Sequence, residues 1–172
     1  MDSSEREKKQ GKNATIVATP RYYDVATMSG SGLLYTDPDC DGALLDHDED
    51  DATIGSAILT ALSNSRFVTS EELHHVVKSR LQEIKDKAAQ RGRLCAERYA
   101  YKNRTEMNKE TKHVHVRLSE GQMTFRPNHT RSQSAYSGLS EDQHVIISGD
   151  SSPAEIGAAF RLALSRCTSK YD

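Results

Sequence analysis

A single α+β domain, a mixed β-sheet flanked by helices, is the fold this 172-residue sequence predicts. Three observations carry it. The length suits one ordinary domain. Short β-leaning segments alternate with apolar stripes of helical period. A strand, an acidic turn and a helix also occur twice, at about 43–65 and 145–167. Hydrophobic residues make up 35% of the chain and charged residues 28%. No run approaches the ~20 apolar residues that cross a bilayer, which rules out a membrane-spanning helix. The first thirteen residues lack the apolar stretch of a signal peptide. Cys40, Cys95 and Cys167 show no CxxC spacing, which argues against a disulfide scaffold or a zinc ribbon. A cytoplasmic location is expected.

Residues 1–13 are polar and charged and read as a disordered tail, with the α+β domain spanning 14–172. Ala14–Ala18 and Tyr22–Met28 are β-leaning and separated by Pro20. Ser29-Gly30-Ser31-Gly32 is a turn signal before Leu33-Leu34-Tyr35, and Ala43-Leu44-Leu45 is a further short strand. Ile54, Ala57, Ile58, Ala61 and Leu62 then mark an amphipathic helix over about 52–64, with Asp50 and Asp51 placed to cap it. Thr69-Ser70-Glu71-Glu72 is a capping-box pattern opening a second helix. Its stripe of Leu73, Val76, Val77, Leu81, Ile84 and Ala88 runs to Gly92, and Glu83 and Lys87 are spaced for an ion pair. Val114, Val116 and Leu118 alternate with His113, His115 and Arg117, and Gly121 returns the chain through Met123 and Phe125 as a hairpin. Pro127 to Asp142 reads as a polar loop, Val145–Ile147 as a strand and 154–166 as the last helix.

That last helix aligns with the first. Ala154 to Ser165 matches Ala52 to Ser63 at a constant offset of 102, with seven of twelve residues identical, including Ile54-Gly55 and Ile156-Gly157. Glycine inside a helix costs about 1 kcal/mol against alanine. Its repetition therefore implies close packing at the helix start, expected here against a strand.

Charge is segregated along the chain. Between residues 22 and 65 lie nine carboxylates and no Lys or Arg, whereas residues 66–131 hold fifteen basic side chains against eight acidic. Each pole can steer a partner of opposite sign. Asp37, Asp39, Asp41, Asp46, Asp48, Glu49, Asp50 and Asp51 form the denser pole. Asp37-x-Asp39-x-Asp41-Gly42 followed by Asp48 also has the spacing of a calcium loop, although position 12 lacks the bidentate Glu and no helix leads in. Pro38-Asp39 with Glu83-Ile84-Lys85 has the residue types of a metal nuclease, but Glu83 and Lys85 diverge on a helix. His113-x-His115 could offer two imidazoles to a metal, or simply face water on the hairpin. Arg91, Arg93, Arg98, Lys102, Arg104, Lys109 and Lys112, with Tyr99 and Tyr101, could hold nucleic acid or pack against the acidic pole. No G-x-S-x-G and no phosphate-binding glycine loop occurs.

Several of these segments resemble a known family. Arg21-Tyr22-Tyr23, the Asp-rich turn into Leu44-Leu45, and Ile54-Gly55-x-Ala57 through Ser65-Arg66 are similar to the first half of contact-dependent growth inhibition immunity proteins of the CdiI type. Tyr101-Lys102-Asn103, Met123 to Pro127, and Ile156 to Cys167 resemble its second half, so the likeness covers about 14–168. It implies a cytoplasmic bacterial protein that binds and blocks the C-terminal toxin domain of a partner, often a nuclease with a basic cleft. No contact residue carries over from the family. The residues themselves agree: a dense carboxylate surface without a catalytic constellation suits a cationic cleft. The expectation is therefore a non-enzymatic inhibitor with no metal or cofactor. The eight acids from Asp37 to Asp51 are its toxin-binding surface. The alternatives are a metal-dependent enzyme using Asp37–Asp48 and a nucleic-acid module using 91–112.

Overall fold

The computed structural model describes residues 2–172. Its centre is a nine-stranded sheet of β1 (Lys12–Ala18), β2 (Tyr22–Ser31), β3 (Leu33–Thr36), β4 (Ala43–Asp46), β5 (Lys112–Ser119), β6 (Gln122–Ser132), β7 (Ala135–Gly138), β8 (Val145–Ser148) and β9 (Thr168–Ser169). The strand order is β3-β2-β1-β5-β6-β7, with β4 paired to β2 and both β8 and β9 paired to β6. The pairings between strands are antiparallel except β6–β9, which makes the sheet mixed. Helices α1 (Ser3–Gln10), α2 (Asp51–Asn64), α3 (Ser70–His75), α4 (Leu81–Arg98), α5 (Arg104–Glu110) and α6 (Pro153–Arg166) complete the domain.

Alternation along the central strands decides which face is buried. Ala14, Ile16, Val25, Val114, Val116, Met123 and Phe125 point to one side, where Ile54, Ile58 and Leu62 of α2 and Ile156, Phe160 and Ala163 of α6 cover them. Each fully buried branched or aromatic side chain contributes about 1.5–3 kcal/mol. Thr15, Val17, Asp24, His113, His115 and Arg117 face the other side.

The repeat extends far beyond the segments in which the sequence shows it. Adding 100 to the β1–β2 register reproduces the β5–β6 register: Thr15 pairs with Ala26 as His115 pairs with Arg126, and Ala18 with Tyr23 as Leu118 with Met123. Tyr23 meets Leu45 as Met123 meets Ile147. Even the parallel bridge from Gly30 to Phe67 is repeated by Thr130 and Ser169. The two halves, about 12–68 and 112–170, are related by a pseudo-two-fold axis through the facing pair Thr15 and His115.

The paired glycines sit at this symmetry. A Cβ on Gly55 would overlap the Pro153 carbonyl oxygen, and one on Gly157 would overlap that of Asp51. The expected partner was a strand, but each helix start packs on the other helix start. Two helices cross over one sheet face, and their first turns come too close for any side chain.

Other expectations shift for local reasons. Residues 2–13 of the segment read as a tail carry α1, capped by Asp2, before β1 begins at Lys12. Gln10 ties α1 to the Gly30 carbonyl and the Gly32 amide, with none of its own side chains buried. Met1 lies outside the described residues. The loop expected over Pro127–Asp142 is largely strand, because β6 continues to Ser132 and β7 returns along it. The helix expected to end near Gly92 passes a π-helical turn at Val76–Arg80 and continues to Arg98. Its apolar stripe is only partly used: Val76 is buried, while Val77 and Leu81 are exposed.

Candidate functional site

The 43 residues between the two halves bring Arg80, Lys87, Arg91 and Arg98 onto the acidic segment. Asp37 is fully buried in its turn. It accepts from Arg66 Nε at 3.1 Å, from the Ser29 hydroxyl at 2.7 Å and from the Asp39 amide at 3.0 Å. Asp39 takes a two-pronged bond from Arg80 at 2.8 and 3.0 Å, which holds its carboxyl below the usual carboxylate range. The same guanidinium reaches Glu83 at 2.9 Å, so Asp39 and Glu83 approach each other across an arginine. Among the described residues no group of three or more His, Cys, Asp or Glu is placed to hold a metal ion. Asp37 and Asp39 both accept from Arg66, and Asp39 accepts from Arg80 as well, so arginines take up two carboxylates of the calcium-loop spacing.

Further along, Asp46 accepts from the Tyr99 hydroxyl at 2.7 Å, with Arg98 at 3.8 Å. Asp50 caps α2 by accepting from the Thr53 amide at 2.7 Å, which lowers its pKa. Asp51 pairs with Arg161 of α6 at 2.7 Å, and Arg161 also donates to the Tyr23 hydroxyl and the Glu49 carbonyl. The side chains of Asp41, Asp48 and Glu49 have no hydrogen bond or ion pair among the described residues, and Asp41 and Asp48 are exposed. Of the eight predicted site residues, these three have no side-chain partner, and Asp50 is held by a backbone amide with no cation beside it.

Beside Asp41 a cleft of about 860 Å³ opens between α4 and the second face of the sheet. Val17, Ile84, Arg91, His113 and Tyr136 are among its walls. His113 stacks on Tyr136 at 4.0 Å. Burial pushes the imidazoles of His113 and His115 down to about 4, so both are neutral. The expectation that they face water is thus corrected: the hairpin's second face is half covered. Cys40 at the same cleft has its thiol raised, by burial first and then by Asp37.

Comparison with known proteins bears on this surface. Residues 12–167 match the family model described as CdiI, the CDI immunity protein. The chain belongs to the CdiI family. It is 30% identical over 166 residues to the immunity protein CdiI-YPIII of Yersinia pseudotuberculosis serotype O:3 (strain YPIII), covering 90% of this chain and 94% of that one. A Neisseria meningitidis protein of unknown function shares the fold with a TM-score of 0.83 and 28% identity, over 94% of this chain and 98% of that chain. A CdiA-CT/CdiI toxin and immunity complex from Yersinia pseudotuberculosis matches with a TM-score of 0.78 and 25% identity, over 91% and 97%. No described helix of this CdiI chain is long and apolar enough to cross a membrane.

Sequence reasoning found the acidic pole and kept open that the basic stretch packs on it, but did not single out which arginines pair with which carboxylates. Arg66, Arg80, Arg91 and Arg98 lie inside the basic pole, so their sign was legible and their destinations were not. Arg161 carries a clearer signal: it stands where the first repeat has Leu59, a departure from an otherwise apolar match. The basic stretch from residue 91 turns partly inward. Arg91 pairs with Asp24 at 2.9 Å, and Tyr99 stacks on Tyr22 at 4.8 Å.

Proposed function

We propose that this chain binds and neutralises the C-terminal toxin domain of a cognate CdiA protein in the cytoplasm, and that it catalyses no reaction itself. The toxin meets it on the acidic segment. Asp41, Asp48, Glu49 and Asp50 make the direct contacts, while Asp37, Asp39, Asp46 and Asp51 hold the segment in shape through their arginines and Tyr99. The observation that carries this reading is the residual charge: the first half keeps unpaired carboxylates after the basic insertion has docked. Unpaired surface charge of one sign contributes little to folding and much to the rate and selectivity of association. The toxin is then a basic domain, a nuclease by this chemistry, and the carboxylates stand in for its substrate's phosphates. A basic loop entering the cleft would meet Asp41 at its wall.

The test is reversal of Asp41, Asp48 and Glu49 together to Lys. These three leave the α2 cap and the ion pairs intact, so the fold should be preserved. Binding to the cognate toxin domain, followed by calorimetry, should weaken well beyond tenfold. An unchanged affinity would place the interface elsewhere.

A further inference from the structure

The second half of the sheet carries an uncompensated cationic group. His115 and Arg126 face each other across β5 and β6. Among the described residues, His115 Nε2 and Arg126 Nε are the buried side-chain polar atoms that lack a hydrogen-bond partner. Two orphaned polar atoms on one cross-strand pair is an arrangement that a folded protein rarely keeps without a water or a ligand to complete it. Arg117, two residues along the same face of β5, makes no hydrogen bond or ion pair either. Arg21, Arg80, Arg91, Arg161 and Arg166 are also half-buried, and each donates to a protein oxygen. Burial and the neighbouring Arg117 both bear on Arg126, and Glu141 acts on it only from beyond ion-pair distance.

The repeat shows that the fold does not require these charges. By the shared register, Arg117 occupies the place of Val17, Arg126 that of Ala26, and His115 that of Thr15. The first half manages with neutral residues at all three points, so two adjacent arginines in the second half add repulsion without a folding gain.

We propose that His115, Arg117 and Arg126 form a receptor for a carboxylate presented by the bound partner polypeptide. Arg126 and Arg117 supply the donors from the terminal nitrogens of their guanidinium groups, beside the buried imidazole of His115. The surroundings favour a protein carboxylate over a phosphate. The cross-strand row Arg117–Thr124–Ile146 sets an isoleucine that is 58% exposed beside the arginines. An arginine next to an exposed apolar anchor is the composition of a protein interface. This inference rests on the toxin-binding reading and adds a contact of opposite sign to the acidic segment.

The variant Arg117→Val/Arg126→Ala, which installs the residues of the first repeat, tests it. Calorimetric titration with the cognate CdiA C-terminal domain should show affinity at least tenfold weaker than wild type, with a melting temperature equal or higher. A structural role would instead lower the melting temperature. Wild-type affinity in the folded variant overturns the proposal. If wild type itself fails to bind the toxin domain, the immunity reading falls and the site is decided by acetate and inorganic phosphate. An Arg126 Nε–H resonance that shifts saturably with acetate in wild type, and not in Arg117→Val, keeps the carboxylate receptor. No shift, or a shift with phosphate alone, overturns it.

Discussion

Gly55 and Gly157 occupy the same crossing from opposite sides, each pressed against the carbonyl oxygen of the residue that opens the other's helix. The helices α2 and α6 therefore approach at their first turns with no room for a methyl group. Alanine would gain about 1 kcal/mol of helix propensity at either site. The overlap is with backbone, which cannot rotate away, so the helices must separate over a core that includes Ile54 and Ile156. Gly55→Ala and Gly157→Ala should each destabilise by about 2–3 kcal/mol net. Urea unfolding reads the effect, and neutral or stabilised variants would contradict the close crossing.

How far the sequence reveals this arrangement depends on what sets each feature. The helices over about 52–64 and 154–166, the strand segments 14–18 and 22–28 and the hairpin β5–β6 were legible, because periodicity and capping are local. The glycine pair was legible as a packing signal, but its partner was not, since nothing local distinguishes a strand from a second helix. The full duplication escaped because the outer faces diverged: Val17 against Arg117 and Ala26 against Arg126 share no chemistry, while the backbone register that relates them is invisible in one sequence. The acidic pole was legible as charge. Which carboxylates stay free was not, because an arginine 29 residues away reaches Asp37 and none reaches Asp41, and one sequence does not show that difference.

Asp37 offers a second prediction. Its side chain is fully buried, and Arg66 supplies the compensating charge from a half-exposed position. Removing one partner of a buried pair leaves the other charge stranded. Arg66→Ala should cost about 2–3 kcal/mol, less than a fully buried pair because Ser29 and the Asp39 amide remain. The double variant Arg66→Ala/Asp37→Asn should recover part of the loss, because the stranded charge is then gone. A double-mutant cycle by thermal or urea unfolding measures it, and additive losses would mean the pair is not coupled.

Stability should fall on acidification from near neutrality. Burial holds His113 and His115 at about 4 in the folded protein, against 6.5 for an exposed imidazole. As pH drops below 6.5 the unfolded chain takes up protons that the folded one refuses, so unfolding is favoured until about pH 4, where both states are charged. Each histidine contributes a loss of up to about 3 kcal/mol across that window. His115→Thr, the residue at the equivalent point of the first repeat, should flatten the slope of stability between pH 6.5 and 4. An unchanged slope would show that His115 is free to protonate in the fold.

The helical insertion and the duplicated core should come apart in that order. The core is apolar, with α2 and α6 covering one face of the sheet. The insertion rests instead on Arg80–Asp39 and Arg91–Asp24, on the Lys87 contact with the Pro38 carbonyl, and on a small cluster in which Cys95, Tyr101 and Met107 meet Tyr22. These pairs are partly exposed, and salt screens such charges far more than it weakens apolar burial. Raising sodium chloride to about 1 M, where the screening length is only about 3 Å, should therefore speed amide exchange over residues 70–98 while the amides of β1, β5 and β6 keep their protection. Arg91→Ala should do the same at low salt, because Asp24 then faces the second side of the sheet without its partner. Uniform acceleration across the chain would mean that the insertion and the core unfold as one unit. Protection that persists at residues 70–98 in both conditions would mean that apolar contacts hold α4 in place and the ion pairs only orient it.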